Sequence, residues 1–384
     1  METIEIQSPS GTVETPKAIP LREIYSIEKL NPKAIKVLYL RSDSAGCAWY
    51  RGIQPSAIIN GLHGDILNQV VSNHIHPSDY KLSPESKWDM VVHQRQYLPE
   101  IFRAAQVLRE MTGAKQIYEV DDDFFHIDSS NPVYPIFTNE VQDNIRKFVA
   151  AMDGIIVSTE PLKKVYGAIN SNIIVVPNAV SPFFVKDIYK TKKDYNNDRI
   201  NIGWTGSNCH VRDIAVLQSV IDDILKMHTN VHFVLGGWTE CPQFKNIPED
   251  RITRLPWTSD MGEYFKNLST IDIGICPLEE SVFNDSKSNL KYIELASLGI
   301  PVVASSVYPY ANTIQDGKTG ILVQTTGKMY KHWMSELNEL IMNPLKRQAI
   351  GINARALVMD KFNQDKIGMQ WIAAYKHFLK ETTR

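Results

Sequence analysis

Cysteine is scarce in this chain of 384 residues, and the four present, Cys47, Cys209, Cys241 and Cys276, are widely spaced with no Cys-x-x-Cys pair. Such spacing draws no disulfide framework, so reduced thiols and a cytoplasmic protein are expected. Long apolar runs are also missing. No stretch approaches the roughly 18 uninterrupted apolar residues of a membrane span, and any membrane association is expected to be peripheral. The opening residues, Met-Glu-Thr-Ile-Glu-Ile, contain no basic region followed by an apolar run, so no secretory leader is expected. Charge of one sign is lacking too: 41 Lys and Arg against 43 Asp and Glu leave a formal net charge of −2. Nothing global attracts nucleic acid or an anionic membrane, and binding a polyanion would need a local basic patch.

What is present is the composition of an ordinary globular protein, with 43% hydrophobic and 22% charged residues. The length is too great for one core and points to two domains or three. Residues 1–35, rich in Ser, Thr, Pro and Glu, read as an N-terminal tail or edge extension. From Lys36 short β-rich runs appear at Val37–Leu40, Met90–His93, Gln116–Val120, Gly154–Ser158 and Ile173–Pro177. Helix-like segments near 98–111, 138–152 and 159–169 separate them. A polar stretch over 183–199 reads as a linker. The alternation resumes with runs at Ile200–Trp204, Val231–Leu235, Ile252–Leu255, Ile271–Cys276, Pro301–Ala304 and Gly320–Val323, and helices are expected over 211–227, 259–268, 287–298 and 328–343. Such alternation predicts parallel sheets covered on both faces. The expected architecture is therefore α/β: two tandem Rossmann-like, doubly wound domains at 36–182 and 200–362, then a helix over 363–384. Ligands in such sheets bind outside the carboxyl ends of the strands, which puts the site in the interdomain cleft.

Two segments of the second domain carry the chemistry. In the first, the buried run from Ile200 enters a turn at Gly206-Ser207, and a helix is expected from Val211. Free N–H groups at a helix start favour phosphate oxygens, and Arg212 adds a cation suited to a diphosphate. The same turn equally fits an ordinary βα connection with a surface arginine. In the second segment, Asp285 or Ser286 can cap a helix whose first turn carries Lys287. Lys287, Lys291 and Glu294 then follow i, i+4, i+7 spacing and share a face. Gly299 closes that helix before Pro301-Val-Val-Ala304 enters a buried strand. Lysines near a helix start oppose the macrodipole, a cost that a bound anion would offset. A solvated Lys/Glu face is the alternative.

The passage from Ile271 to Val303 resembles the donor-binding core of GT-B glycosyltransferases, in particular the retaining group called family 4. That family's signature is a strand ending in Pro, a helix bearing Glu-x7-Glu, and a small-residue-Gly-x-Pro-Val-Val ending. Here Asp272-Ile-Gly-Ile-Cys-Pro277 supplies the strand, and Glu294 matches the second Glu, which in the family holds the nucleotide ribose. The first Glu falls on Ser286, a departure that leaves the donor-sugar contact to Asp285, Lys287 or Asn289. The Gly206–Asp213 segment resembles the family's diphosphate clamp, an Arg and a Lys. Arg212 stands at the Lys position, Ser207 replaces the Arg, and Lys287 is the candidate to restore the second charge. Asp316-Gly-Lys-Thr-Gly-Ile-Leu-Val323 and the segment Gln364–Leu379 resemble the family's last βα region and the helix that crosses back to the N-terminal domain. The resemblance implies a nucleoside diphosphate sugar as co-substrate and no separate cofactor. The donor site it implies comprises Gly206, Ser207, Arg212, Ser286, Lys287, Ser288, Asn289, Leu290 and Glu294. Arg212 and Lys287 would stabilise the leaving diphosphate.

The first domain matches in architecture alone. The segment Arg41–Arg51 looks like the flexible loop that faces the donor phosphates, with Gly46 allowing close approach and Arg51 reaching an anion or lying solvated. Asp121, Asp122 and Asp123 end the run Gln116–Val120, with His126 close behind. Consecutive carboxylates at a strand end are costly unless hydrogen-bonded, metal-bound or opposite cations. The triplet superficially matches the Asp-x-Asp metal motif of GT-A enzymes. Two tandem halves argue against that, and no metal is expected. Asp121, Asp122 and His126 are the catalytic candidates on the acceptor side, an Arg-paired or helix-capping role being the alternative. His93 and Arg95 end the preceding strand near the same cleft. Trp238 and Trp257 follow strands of the second domain and can bracket a nucleobase, Trp257 being the candidate retained.

The expected reaction is transfer of a sugar from a nucleotide sugar to an acceptor hydroxyl, retaining and metal-independent, the acceptor being a saccharide or another small hydroxyl compound. Three alternatives stay open. Arg41, Arg51, His93 and Arg95 form a cationic set that would suit DNA, hence glycosylation of hydroxymethylated bases. Ser207 and Ser286, replacing charged residues, would suit a noncatalytic GT-B binding protein. An epimerase acting on a UDP-sugar is the third.

Overall fold

Buried parallel strands need continuous apolar runs, and the runs in this sequence build two parallel sheets in the computed structural model, which describes residues 34–43, 45–62, 66–72, 88–191 and 198–380. The first sheet contains β1 (Ile35–Arg41), β2 (Ile66–Ser72), β3 (Met90–Gln94), β4 (Lys115–Val120), β5 (Gly154–Val157) and β6 (Ile173–Val175), in the order β2-β1-β3-β4-β5-β6. The second contains β7 (Ile200–Gly206), β8 (Val231–Gly237), β9 (Ile252–Pro256), β10 (Ile273–Cys276), β11 (Val302–Ser305) and β12 (Ile321–Val323), in the order β12-β11-β10-β7-β8-β9. Chain direction across each sheet reverses beside its first strand. Those switch points, at β1/β3 and β7/β10, are where such sheets open a crevice.

Several expectations change. Strand β2 is not signalled by the sequence, because Asn68 and Gln69 interrupt its apolar run; among the described residues it is an edge strand paired with β1 alone, from Ile35↔Ile66 to Arg41↔Ser72. The stretch read as a linker is helical over Pro182–Thr191. Val185 is fully buried there, and Phe184 and Ile188 pack on the same cluster as Phe265 and Leu268 of the second domain. Residues 192–197 of that stretch lie outside the described residues, as do residues 1–33 of the N-terminal extension. The Arg41–Arg51 loop is largely helical: Gly46–Ala48, a π-helical turn at Trp49–Ile53, then Gln54–Leu62. The helix expected over 211–227 is broken into Val211–Ala215 and Gln218–Met227.

The chain passes between the two halves at two points, and these lie side by side. Val180 N–H donates to Phe362 O at 3.0 Å, and Gln364 N–H donates to Val180 O at 3.1 Å. Beyond the second passage the helix Gln364–Lys380 packs against the first sheet, where Ile367, Trp371, Ile372, Tyr375 and Phe378 join the cluster built on Val37, Val92 and Ile156. Gly154 on β5 leaves room for Phe378, since a Cβ there would run into the ring. No helix among the described residues is long and apolar enough to cross a membrane.

Removing the largest side chain of this interdomain helix tests its contribution. Trp371 is 1% exposed, and Trp371→Ala is expected to lower unfolding stability by about 3–5 kcal/mol, measured by denaturant titration. A loss below about 1 kcal/mol would show that the first domain's core does not depend on it.

Candidate active site

A cavity of about 270 Å³ lies between the domains at the carboxyl ends of β7, β8 and β9. Its floor is glycine: Gly206 ends β7, and Gly236 and Gly237 end β8. Side chains are excluded there. A Cβ on Gly206 would lie 2.5 Å from the Trp204 ring and 2.8 Å from Lys291 Nζ, and Gly237 has a left-handed φ of 81°. Leu255, Pro256, Met261 and Leu290 make one wall largely apolar, with Trp257 on the rim at 59% exposure. The first domain closes the opposite side with Gly46, Trp49, Tyr50 and Ile53.

Two ionisable groups face this cavity from one helix, Leu290–Ser297. Glu294 is buried, and each of its carboxylate oxygens accepts from a tyrosine: Oε1 from Tyr50 of the first domain at 2.6 Å, Oε2 from Tyr264 at 2.9 Å. Burial pushes this carboxyl up to about 7, against the opposing pull of the two hydroxyls and Lys291. One turn earlier Lys291 lies over the Trp204 ring at 5.1 Å, brought down to about 8 chiefly by burial. A carboxylate holding two hydroxyls and an ammonium at a glycine-floored strand end together suit a ligand with a polyol part and an anionic part.

The helix starts later than the sequence suggested. Its N-cap is Asn289, whose side chain instead donates to Thr313 Oγ1, so neither Asp285 nor Ser286 caps it. Ser286, Lys287 and Ser288 belong to the segment before it, where they meet the first domain. Thr159 Oγ1 donates to Ser286 O at 2.9 Å, Asn178 Nδ2 donates to Ser288 Oγ at 2.9 Å, and Lys287 Nζ lies 3.9 Å from Asp122. Arg212 is separate from the main cavity. It is 51% exposed in a smaller cavity of about 140 Å³, paired with Asp128 of the first domain at 3.0 Å and with Glu279 at 2.8 Å.

The first-domain candidates divide sharply. Arg51 is a core group, because the π turn directs it inward: it is fully buried, with Nε on Glu119 at 2.6 Å and Nη1 on Val176 O and Asn178 Oδ1. His93 is likewise in the core, bonded through Nε2 to Gln116 and lowered to about 4 by burial, hence neutral. Arg95 adopts φ 52° and binds Asp121 at 2.5 Å and Asp122 at 2.7 Å. Two of the three aspartates are thus arginine-paired, and the third, Asp123, accepts from Phe125 N–H and bonds His126 Nδ1 at 2.8 Å. Among the described residues no group of three or more His, Cys, Asp or Glu is arranged to hold a metal. Trp238 packs on the second domain's core and does not line the cavity.

Of the sequence candidates, Gly46, Gly206, Ser207, Trp257, Leu290 and Glu294 come together around one cavity. Sequence reasoning missed Tyr50, Tyr264 and the exposure of Lys291 to it. Only Lys291 carried a signal, its i, i+4 spacing from Lys287. The tyrosines carried none.

Comparison with known proteins gives a match over residues 199–343 to the family described as glycosyl transferases group 1. The capsular polysaccharide biosynthesis glycosyltransferase CapM of Staphylococcus aureus is 24% identical over 211 residues, 52% of each chain, so the chain spans about half the length of the curated relative it matches. Among solved structures, HepE of Anabaena in complex with UDP and glucose superposes with a TM-score of 0.64 at 13% identity, covering 90% of this chain and all of that one. Sucrose-phosphate synthase of Thermosynechococcus elongatus superposes at 0.62 with 14% identity and the same coverages. The two-sheet architecture with its cleft is the one these proteins share.

A carboxyl group held above its ordinary value keeps its proton in the folded chain over a window where the unfolded chain has lost it. For Glu294 that window runs from about 4.5 to about 7, and its contribution to stability is lost as pH rises through it. Glu294→Gln does not titrate. Its melting temperature relative to wild type is expected to improve from pH 4.5 to pH 8 in calorimetry, and parallel curves would contradict the assignment.

Proposed function

We propose that the chain transfers a sugar from a nucleoside diphosphate sugar to the hydroxyl of a saccharide, because residues 199–343 match the group 1 glycosyltransferases and the chain has the GT-B fold. The reading rests above all on one observation: Glu294 and Lys291 share a single cavity at the glycine-floored ends of β7 and β8. Glu294 accepts from the ribose hydroxyls, each of its oxygens keeping a free lone pair beside the tyrosine it already binds. Lys291 and Lys287 meet the diphosphate. They take the part expected of Arg212 and Lys287, since Arg212 is already neutralised by two carboxylates outside the main cavity. Trp257, Pro256 and Leu255 offer the base an apolar wall.

As the bond from the anomeric carbon to the phosphate oxygen breaks, charge grows on the diphosphate, and cations positioned in advance in a dry cleft lower that barrier. Reaction is proposed to proceed with retention and without metal. UDP is the first donor nucleotide to test, because the similarly folded HepE is solved with it. A saccharide acceptor agrees with the name of the curated relative. The DNA alternative loses its motive: of its cations, Arg51 and His93 are buried in the core and Arg95 is held by two aspartates. On the acceptor side Asp121, Asp122 and half-exposed His126 remain the candidates.

A thermal-shift panel of UDP-, GDP-, ADP- and dTDP-sugars is the primary test; a donor at 100 times its dissociation constant adds about 2.7 kcal/mol, and a panel with no stabilising member would refute the reading. In the same assay Glu294→Ala is expected to weaken nucleotide binding by about 1.5–3 kcal/mol. Lys291→Ala is expected to reduce turnover more than donor affinity, and equal turnover in variant and wild type would remove the phosphate role. Chelator should leave activity largely intact; loss in EDTA with rescue by manganese would overturn the metal-free mechanism.

A further inference from the structure

One histidine adjoins the residues around the donor cavity. His210 follows β7 in a single 3-10 turn, Asn208–His210, and its ring stands edge-on to Trp204 with centroids 6.4 Å apart. Lys291 lies over that same indole. Nδ1 of His210 is 2.7 Å from Asp213 Oδ2. Asp213 is 5% exposed, and its other oxygen accepts from Glu279 N–H at 2.9 Å and from Asn284 Nδ2 at 2.9 Å. The hydrogen bonds and the His210 contact keep Asp213 ionised even though burial opposes it. A carboxylate fixed on both oxygens can only accept, so Nδ1 carries the hydrogen and Nε2 carries the lone pair. No hydrogen bond to Nε2 is present among the described residues.

The charged groups facing this imidazole are Lys291 and Lys287 from the segment leading into and along the helix Leu290–Ser297, and Asp213 beneath it. In the free protein burial and the lysines keep the ring neutral, down to about 4. A dianion held by the lysines reverses that balance: it neutralises their field at the ring and adds negative charge near it.

We propose that His210, oriented by Asp213, is a third nitrogen ligand of the donor diphosphate beside Lys287 and Lys291, and that it binds this anion as imidazolium. This rests on the donor-site reading above. One proton is taken from solvent to Nε2 as the donor enters. When the bond to the anomeric carbon breaks, the electron pair stays on the phosphate oxygen and strengthens the hydrogen bond from Nε2–H. The proton returns to solvent when the nucleoside diphosphate leaves. His210 thereby supplies a charge that exists only while the site is filled, where the family's arginine position is Ser207. Asp213 is a positioning residue.

The test is titration calorimetry with UDP-glucose, or with the tightest-binding sugar nucleotide of the panel, in two buffers of different ionisation enthalpy at pH 6. These diphosphodiesters do not titrate near neutrality, so proton uptake reports on the protein. Wild type is expected to take up a substantial fraction of a proton, more as pH falls. His210→Asn, whose amide can still donate to Asp213, is expected to take up correspondingly less and to lower kcat by roughly 10- to 100-fold with a smaller change in KM. Nitrogen-15 spectra of histidine-labelled wild type keep the proposal testable if the variant does not fold: Nε2 should move from lone-pair-bearing to protonated as donor is added. Uptake identical in wild type and variant, or an Nε2 signal unmoved by saturating donor, would overturn the proposal while leaving the donor site intact. Failure of every sugar nucleotide to bind would overturn both.

Discussion

A single buried ion pair fixes the geometry on which the cleft depends. Arg51 and Glu119 meet at 2.6 Å with neither side chain exposed, and Tyr39 adds its hydroxyl to the same carboxylate at 3.2 Å. The guanidinium also binds Val176 O and Asn178 and lies 4.9 Å above the ring of Trp371. One side chain thus ties the π turn to β4, to the end of β6 and to the helix that returns from the second domain. Removing one partner of such a pair costs about 3–5 kcal/mol, because the other charge stays buried. The functional consequence is positional. Arg51 points inward, so its neighbours Trp49 and Tyr50 face the cavity, and Tyr50 reaches Glu294. Asn178 extends the same network, accepting from Arg51 and donating to Ser288 before the helix Leu290–Ser297.

Against that network, the two halves handle positive charge in opposite ways. The first domain's cations near the cleft are committed: Arg51 to Glu119, Arg95 to Asp121 and Asp122. In the second domain Lys291 has an aromatic ring beneath it and a cavity before it. Positive charge facing the cavity therefore comes from the C-terminal half, while the N-terminal half contributes hydroxyls and ring faces.

Most of the scaffold was legible because buried parallel strands are read as apolar runs, and those runs stay recognisable where single polar residues such as Glu119, Asn201 and His232 interrupt them, whereas the adjacent Asn68 and Gln69 conceal β2. Gly299 closes its helix in the left-handed conformation, as its position suggested. What stayed hidden has physical causes. Helix Pro182–Thr191 opens on Pro-Phe-Phe-Val and then carries Lys186, Asp187 and Lys190, and among its described residues only Val185 reaches full burial. A residue's position at a strand end does not say which way it points, so nothing local in the sequence marks Arg51 and His93 as core groups. Spacing alone gave no reason to prefer Lys291 over Lys287 or Arg212. Contacts between halves, such as Tyr50 with Glu294, join residues far apart in sequence and leave no local pattern. Glu294 itself was found through family resemblance, its environment through the structure.

The helix Gln364–Lys380 has a consequence for how the molecule is made. Trp371, Tyr375 and Phe378 fill the core of the first sheet, yet they are synthesised after the whole second domain. A nascent chain emerging from the ribosome therefore holds its first half with an apolar face uncovered until the second half has already been made. The N-terminal domain completes its core last although its strands appear first. Proteolytic nicking within the second domain would consequently unsettle the first, and the two halves cannot be exchanged as independent modules cut at residue 182.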